Sequence, residues 1–334
     1  MPVPLRGTAR YVERHSSTYK QMCNLAQLIS IATSQLYVVA IKMSWGDKAK
    51  PRAPTRLRQI ALVTEDAERA KHLLTHVLGT EVVFEDAAVG QWGLKNFLVP
   101  LGGDLIEVVS PIREGTTAGR LLEKRGEGGY MVIMQTEDAK RRRKYIEAER
   151  LASVIFEHEQ GDAVCIQYHP KGIKGGMMPE LDSHTPGPNN PTPVRTRFSP
   201  WHACGPHSDG YTPAMERTQH LTLERCVLRL QPGDPAPEDA AGQWEAIFGV
   251  AATRDWLAFT NTRMRFIAGS EGLPAGLVSI TIGVQGKDEY EAMVQRARDA
   301  GVWRDRDGCG CLDMCGIEWY LALLTAHDGR RGKL

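Results

Sequence analysis

The sequence has almost no net charge, because 41 Lys and Arg residues against 40 Asp and Glu residues leave +1 over 334 residues. A chain dedicated to nucleic acid would normally carry a basic excess on one face, so this balance argues against that class. A run of about 20 mostly apolar residues is also lacking, since polar residues interrupt the apolar stretch 25–41. We therefore expect no membrane-spanning helix. The remaining composition, 42% hydrophobic and 24% charged, is that of a globular protein long enough for two domains.

The sequence also lacks a cysteine pattern typical of a disulfide framework, and it lacks a glycine-rich phosphate loop. Seven cysteines, an odd number without secretory context, favour a reducing compartment, so we expect a cytoplasmic protein. The missing loop argues against a nucleotide cofactor. The segment before residue 46 offers an alternative location, since its five basic residues and single acid are typical of a mitochondrial leader. We interpret residues 1–55 as an N-terminal extension, either disordered or targeting.

A repeat with an offset of 72 residues runs through the first half of the chain. Thr-Glu-Asp-Ala occurs at 64–67 and again at 136–139, each time after a short apolar run. Helical patterns follow over 67–78 and 139–151, with the Asp of the repeat as the predicted N-cap. The strands predicted after each helix are 81–85, 96–100 and 105–110 in the first copy, and 153–157, 163–168 and 176–181 in the second. Each copy is therefore expected to be a βαβββ module.

The pattern stops at a proline-rich stretch and then resumes. Seven prolines between residues 182 and 219 predict no helix or central strand there, and we interpret its histidines and Cys204 as ordinary polar loop residues. Strand patterns return at 223–230, 264–268, 277–284 and 316–320, with helical patterns at 243–248 and 288–300. The expected fold is α+β, with four βαβββ modules paired into two domains. The predicted segments are 1–55, a site-bearing domain 56–182, a linker 183–219 and a second domain 220–326.

Paired βαβββ modules resemble the vicinal oxygen chelate superfamily, which includes glyoxalases, bleomycin-resistance proteins and extradiol dioxygenases. Leu57–Val63 resembles the family's opening strand, and Asp104–Glu107 resembles the strand that supplies an acidic metal ligand. Tyr168–Lys171 and the segment 175–181 resemble the close of the second module in methylmalonyl-CoA epimerases. The resemblance is closest over 57–182, where the chain is most similar to glyoxalase I and epimerase-like proteins. It implies two glyoxalase-like curved sheets.

The same resemblance implies a metal site in the first domain. Gln59, Glu107 and Glu180 match three of the family's four metal positions, and Met131 falls at the fourth. A thioether is a poor ligand for hard divalent ions, so the sequence departs from the family there. An amide oxygen and two carboxylates on neighbouring strands would still suit a divalent ion, with Mg, Mn, Ni, Zn and Fe as candidates.

These residues predict a metal-assisted lyase or isomerase. Its substrate would be a small α-oxygenated carbonyl compound or an acyl thioester, polarised by the ion and enolised by a carboxylate. Glu180 is the expected base, as in the enzymes that the chain resembles, with Glu107 as the second catalytic residue. The predicted substrate-binding residues are Tyr130, Met131, His169 and Lys171. The basic run 140–144 on the second helix is expected to form a solvated face.

Two alternatives remain open at this point. Met131 favours a metal-free sequestering protein that keeps the fold and loses the ion. A biosynthetic tailoring enzyme could instead use the same cavity without a metal. In every case we expect a small-molecule ligand, no nucleic-acid or membrane partner, and a monomer or homodimer.

The second half lacks the expected ligands. Arg225 falls at its first ligand position, Arg265 or Phe266 near the second and Ile280 near the third. Glu318 would be the single metal ligand retained in this half. Extradiol dioxygenases, which resemble this four-module plan, need two His and one Glu in this half, so we predict no ring-cleaving activity. The second half is expected to be structural.

Overall fold

A computed structural model describes residues 52–306 and 308–325, so most of the predicted N-terminal extension lies outside the described residues. The strands are β1 Thr55–Val63, β2 Leu94–Leu101, β3 Asp104–Pro111, β4 Gly128–Thr136, β5 Val154–Gln160, β6 Ala163–Tyr168, β7 Met178–His184, β8 Leu221–Arg229, β9 Ala251–Thr253, β10 Trp256–Ala258, β11 Arg263–Ile267, β12 Gly276–Gln285, β13 Trp303–Arg306, β14 Cys309–Met314 and β15 Ile317–Leu324. The helices are α1 Ala67–Leu78, α2 Thr117–Arg125, α3 Ala139–Ala148, α4 Ser208–Arg217, α5 Pro237–Phe248 and α6 Lys287–Asp299. None of these helices is both long and apolar enough to cross a bilayer.

The strands form two sheets with one plan. Modules one and two build a seven-stranded sheet in the order β2-β3-β1-β4-β7-β6-β5. Modules three and four build an eight-stranded sheet in the order β13-β14-β15-β12-β8-β11-β10-β9. In each sheet the opening strands of the two modules pair antiparallel at the centre, and the first and last strands of every module are parallel neighbours. The predicted fold class, α+β with four βαβββ modules in two curved sheets, is confirmed.

The repeated aspartates begin the first helix of each module in the first sheet. The Asp66 carboxylate accepts a hydrogen bond from the backbone N–H of Arg69 at 2.9 Å, and Asp138 accepts from Arg141 at 2.8 Å. Both therefore satisfy an N–H group that has no partner within the helix. The α1 helix ends at Gly79, whose φ of 67° is left-handed and suits glycine. The predicted N-caps are confirmed.

One hydrophobic core joins the helix-facing sides of both sheets. It contains Ile60 and Leu62 of the first sheet together with Leu223 and Leu228 of the second. Arg142, which was expected on a solvated face, is buried in this region and donates to the backbone carbonyls of α5's last turn. A cation at that end of a helix is stabilised by the helix dipole, so the prediction for Arg142 was wrong.

A bulge in β1 determines which of its side chains point away from the helix-facing core. Leu57 and Ile60 both lie in the core, three residues apart, and the β1–β4 register shifts between Leu57 and Gln59. A bulge inserts one extra residue and re-aims the side chains beside it. Arg58 and Gln59 therefore both leave the helix-facing core and face the opposite, concave side of the sheet.

The segment between β7 and β8, residues 185–220, covers this concave face, and we call it the crossover segment. Its buried side chains Trp201, Cys204, Tyr211 and Met215 pack against the residues of the sheet that point away from the helices: Ala61, Leu98, Leu105, Met131 and Ile133. The first sheet is therefore covered on both faces, which explains why β1 and β3 are almost entirely buried.

Two arginines of β1 hold the crossover segment in place. Arg56 donates to the carbonyls of Thr196 at 2.8 Å and Arg197 at 2.9 Å, and forms a buried ion pair with Asp104. Arg58, fully buried, donates to the Ser199 carbonyl at 2.6 Å. Burial lowers the pKa of Arg58 to about 9, which leaves it charged at neutral pH. The crossover segment is thus fastened by charge-assisted hydrogen bonds.

Three sequence expectations fail in these regions. The crossover segment contains α4 despite Pro213 inside it, because the packing of its apolar side against the sheet outweighs one lost backbone hydrogen bond. The α2 helix was not predicted, although Thr116 caps it by accepting from the Gly119 N–H. The predicted strand 81–85 is only an isolated bridge between Phe84 and Leu98.

Candidate active site on the first sheet

Gln59 and Glu107 form a hydrogen-bonded pair on the concave face. Gln59 Nε2 donates to Glu107 Oε2 at 2.8 Å, and Asn96 Nδ2 donates to Glu107 Oε1 at 2.7 Å. Trp201 of the crossover segment donates its indole N–H to Gln59 Oε1 at 2.8 Å. Each oxygen of this pair is therefore already engaged by an N–H donor.

Glu107 and Glu180 occupy matching places in the two modules. Ala61 of β1 lies opposite Glu107 of β3, and Ile133 of β4 lies opposite Glu180 of β7. Since β1 and β4 also pair with each other across the centre of the sheet, the two carboxylates are related by the internal repeat. This is the arrangement expected from the 72-residue offset in the sequence.

Both carboxylates are buried and their proton affinities are raised. Burial raises the pKa of Glu107 to about 7, against the lowering effect of the Asn96 hydrogen bond, and the nearby Glu180 charge raises it further. Burial also raises the pKa of Glu180. A carboxyl group whose pKa lies near neutrality can both accept and donate a proton at physiological pH.

Half-buried side chains lie next to the pair. Asn96, Tyr130, Gln167 and Met178 are partly exposed on this face of the sheet. Burial and the charges of Glu107 and Glu180 raise the pKa of Tyr130, which places its hydroxyl within electrostatic range of both carboxylates.

The edges of the sheet approach each other across the concave face. The ring of Trp92, which precedes β2, meets the ring of Phe156 on β5 edge-on at 5.8 Å between centroids. Because β2 and β5 are opposite edges of the sheet, this contact requires strong curvature. The concave face is therefore flanked by the Trp92–Phe156 ring pair and by the indole of Trp201.

A second cluster adjoins Glu180. One ligand atom from each of Cys165, Glu180, Asp182 and His202 lies within 4.8 Å of the other three. Asp182 is fully buried, Cys165 and Glu180 nearly so, and His202 is half-buried. Burial and the Glu180 charge raise the pKa of Asp182 well above its usual range, and burial lowers the pKa of His202 to about 3. His202 is therefore neutral, as metal-binding histidines are.

A chain of polar groups connects this cluster with the surface. His202 Nε2 lies 3.5 Å from Asp182 Oδ2, and His202 Nδ1 lies 3.3 Å from His184 Nε2. His184 Nδ1 in turn lies 3.2 Å from Asp162, whose side chain is 55% exposed. The second ring nitrogen of His202 is thus oriented by His184.

The four family positions do not fit a metal ion. The oxygens of Gln59 and Glu107 accept N–H donors, as described above, and Met131 offers only a thioether. The adjoining cluster does fit, because one sulfur, one imidazole and two carboxylates are the donors that borderline divalent ions prefer.

The remaining predicted residues lie in two places. Met131 is buried among the side chains beneath the crossover segment, and Tyr130 is next to it. His169 and Lys171 lie on the exposed turn after β6, where the Lys171 N–H donates to His169 Nδ1 at 3.0 Å. Within residues 52–306 and 308–325, no hydrogen bond or ion pair joins this turn to the concave-face carboxylates. Their role in substrate binding stays a prediction.

Sequence reasoning missed Cys165, Asp182 and His202. Asp182 follows Glu180 by two residues on one strand, so the alternation of β7 places both on the same face. That spacing was a usable signal. His202 was interpreted as an ordinary loop residue, because nothing in the sequence indicates that the crossover segment returns to the first sheet.

The register of the second sheet selects Arg265 from the two residues predicted near the second position and corrects the assignment of Glu318. Val227 lies opposite Arg265, which places Arg265 where Glu107 lies in the first sheet. Thr281 lies opposite Tyr320, so Tyr320 matches Glu180. Glu318 is two residues away from that place, and it pairs instead with Ser279 in register. The prediction that Glu318 occupies the last ligand position was therefore wrong, because that position lies two residues further along the strand, at Tyr320.

The third place was misassigned for a similar reason. Ser279, not Ile280, corresponds to Met131, since Ile280 belongs to the hydrophobic core. The four places of the first sheet's expected metal set are therefore occupied in the second sheet by Arg225, Ser279, Arg265 and Tyr320.

No family model and no curated protein matches the chain. Among solved structures, a hypothetical protein from Staphylococcus aureus is similar at 11% identity and a TM-score of 0.52, covering 81% of this chain and 100% of its own. A methylmalonyl-CoA epimerase variant from Streptomyces coelicolor, bound to 2-nitronate-propionyl-CoA, is 20% identical with a TM-score of 0.36 over 40% of this chain and 99% of its own. The epimerase from Mycobacterium tuberculosis is 18% identical with the same TM-score, covering 43% and 96%. At these identities the likeness is one of fold.

Proposed function

We propose that this chain is a member of the vicinal oxygen chelate superfamily with lyase or isomerase activity, which moves a proton at the carbon next to a carbonyl group. The proposal depends chiefly on one observation: Glu107 and Glu180 lie at matching places of two paired modules, both buried on one face and close enough to interact electrostatically.

Two carboxylates are what such a proton transfer needs. One accepts the α-proton as the C–H bond breaks, and the electron pair moves onto the carbonyl oxygen to give an enolate. The other carboxyl group can then return a proton from the opposite face, so the net reaction is epimerisation or isomerisation. Glu180 is the proposed base, and Glu107 is the proposed acid because its pKa of about 7 keeps it partly protonated at neutral pH.

Neighbouring groups support these roles. Asn96 and Gln59 fix the Glu107 carboxylate, which removes the orientational freedom that would slow proton transfer. Tyr130 is the proposed donor to the enolate oxygen, since its hydroxyl interacts with both carboxylates. An ion at the four family positions takes no part in this scheme, because their donors do not fit one.

The substrate class follows from this chemistry. It is a small α-oxygenated carbonyl compound or an acyl thioester, whose α-proton is acidic enough for a carboxylate base. An acyl-CoA is a reasonable probe because the similar epimerase from Streptomyces coelicolor binds one. The partly exposed side chains Asn96, Tyr130, Gln167 and Met178 mark the proposed entry side.

Hydrogen exchange in D₂O tests the proposal directly. The full chain is incubated with a set of α-oxygenated carbonyl compounds and acyl-CoA thioesters, and deuterium at the α-carbon is followed by mass spectrometry. We expect exchange with at least one probe and a loss of about 100-fold or more in Glu107→Gln and Glu180→Gln. Arg265→Gln, at the matching place of the second sheet, is the control and should retain the rate. Exchange that survives both glutamine variants, or its absence with every probe, would contradict the proposal.

A metal-free sequestering protein is the second candidate. The indole of Trp201 on Gln59 favours it, because the crossover segment then occupies part of the space that a substrate would use. Saturable binding of a probe without α-proton exchange, measured by calorimetry on the same samples, would support this candidate instead.

A further inference from the structure

We infer that Cys165, Asp182 and His202 hold a divalent transition-metal ion, with Glu180 at the fourth position beside the concave face. The site is new in position, since it uses β6, β7 and the crossover segment rather than the opening strands. It shares Glu180 with the proposed activity, but its test measures ion binding through Cys165 and His202, which take no part in that activity.

The four donor atoms lie close to the spacing that a metal site requires. A tetrahedral ion with bonds of 2.0–2.3 Å holds its ligand atoms roughly 3.3–3.8 Å apart, and the four ligand atoms here lie within 4.8 Å of one another. Three of them come from adjacent strands of a rigid sheet, and only His202 comes from the crossover segment. Small side-chain movements around a largely preformed site would complete the coordination.

A buried oxygen without a well-formed hydrogen bond is suited to a cation. Asp182 is fully buried, and its Oδ2 makes no well-formed hydrogen bond, with His202 Nε2 at 3.5 Å, while its other oxygen accepts the Ile166 N–H at 3.3 Å. Among the described residues, no lysine or arginine lies within ion-pair distance of Asp182 or Glu180. Two adjacent buried carboxylates are costly when both are charged, and a divalent ion would compensate both charges.

The donor types select the ion. A cysteine sulfur and an imidazole favour zinc, cobalt or ferrous iron over magnesium and calcium, which prefer oxygen ligands alone. Binding of an ion by the Cys165 sulfur would release the thiol proton. His184 provides the outer contact to His202 that metal-bound histidines commonly have.

Metal content and a cobalt spectrum test the inference on the purified full chain. After incubation with Zn²⁺ or Co²⁺ and removal of excess ion, we expect about one ion per chain. The cobalt form should show a thiolate-to-metal charge-transfer absorption. Cys165→Ser should lose that band, and His202→Ala should weaken Zn²⁺ binding at least tenfold by competition with a chelator.

Glu107→Gln is the matched control, because it alters a carboxylate of the family positions without touching the new cluster. It should retain the ion and the cobalt band. Loss of the ion in Glu107→Gln together with its retention in Cys165→Ser and His202→Ala would overturn the inference, as would a wild-type chain without bound ion after loading. Circular dichroism of each variant identifies any that fails to fold. His202→Ala, whose side chain is only partly buried, then supplies the deciding measurement.

Discussion

In the first sheet the concave face is covered by the crossover segment and carries two buried carboxylates, whereas in the second sheet the corresponding face exposes Arg225, Arg263 and Arg265. The two sheets share strand order, parallel and antiparallel pairing and the position of the central bulges. The backbone therefore supplies the same four places twice. The side chains at those places, and the segment that covers them, decide whether a buried pair of carboxylates or a solvated basic surface results.

The bulges show how directly the two faces correspond. Arg58 is the extra residue in β1, and Glu224 is the extra residue at the same point of β8. Arg58 binds the crossover segment, whereas Glu224 accepts a hydrogen bond from its neighbour Thr222 at 2.8 Å. The matching places of the two sheets thus carry opposite charges, and the arginine is the one that fastens a loop among the described residues.

The largest expected difference concerns the tryptophan on each concave face. Trp201 is fully buried, whereas Trp256 is half-buried beneath Arg225 and Arg265. Trp201→Ala should lower the free energy of unfolding by about 4 kcal/mol, since it leaves a large cavity. Trp256→Ala should cost about 1 kcal/mol or less. Urea denaturation of both variants measures this, and equal losses would contradict the idea that only the first face is sealed.

A smaller effect is expected from the pH dependence of stability. The folded-state pKa of Glu107, about 7, exceeds its ordinary value of 4.5, so the native state binds this proton more tightly than the unfolded chain. The wild type should therefore lose on the order of 3 kcal/mol of unfolding free energy between pH 4.5 and pH 7. Glu107→Gln should remove this contribution and leave the decrease that the raised pKa values of Glu180 and Asp182 cause, and Arg265→Gln should keep the whole decrease. A wild-type profile that rises over this range would contradict the assignment.

The smallest effect is expected at the paired bulges. Arg58→Met keeps an apolar stem but removes the hydrogen bonds to Ser199, and it should cost about 2 kcal/mol. Glu224→Met should change stability by about 0.5 kcal/mol. Faster amide exchange in the crossover segment should accompany Arg58→Met alone. Unchanged exchange there would mean that Arg58 does not fasten the segment.

Much of the fold was accessible from the sequence because its signals are local. The Asp-capped repeat and the apolar alternation of the strands located α1, the module plan and the places of Glu107 and Glu180. The candidate site was less accessible, since its neighbours come from distant segments. Trp201 lies 142 residues from Gln59, and no periodic pattern relates them. The misplacement of Glu318 has the same origin, because strand register is set by partners that a single strand does not reveal.

The crossover segment is a competitor built into the chain. A tethered group that occupies a face acts at a high effective concentration. A ligand that must displace the crossover segment can bind only to the small fraction of molecules in which the segment is released, so its apparent affinity falls in proportion to that fraction. If release costs about 3 kcal/mol, the apparent dissociation constant rises roughly 150-fold. A ligand that approaches Glu107 from the side of Tyr130 and Met178 avoids this penalty. The arginines of β1 would in that case select ligands by size, admitting those that fit beside the segment and rejecting those that need its space.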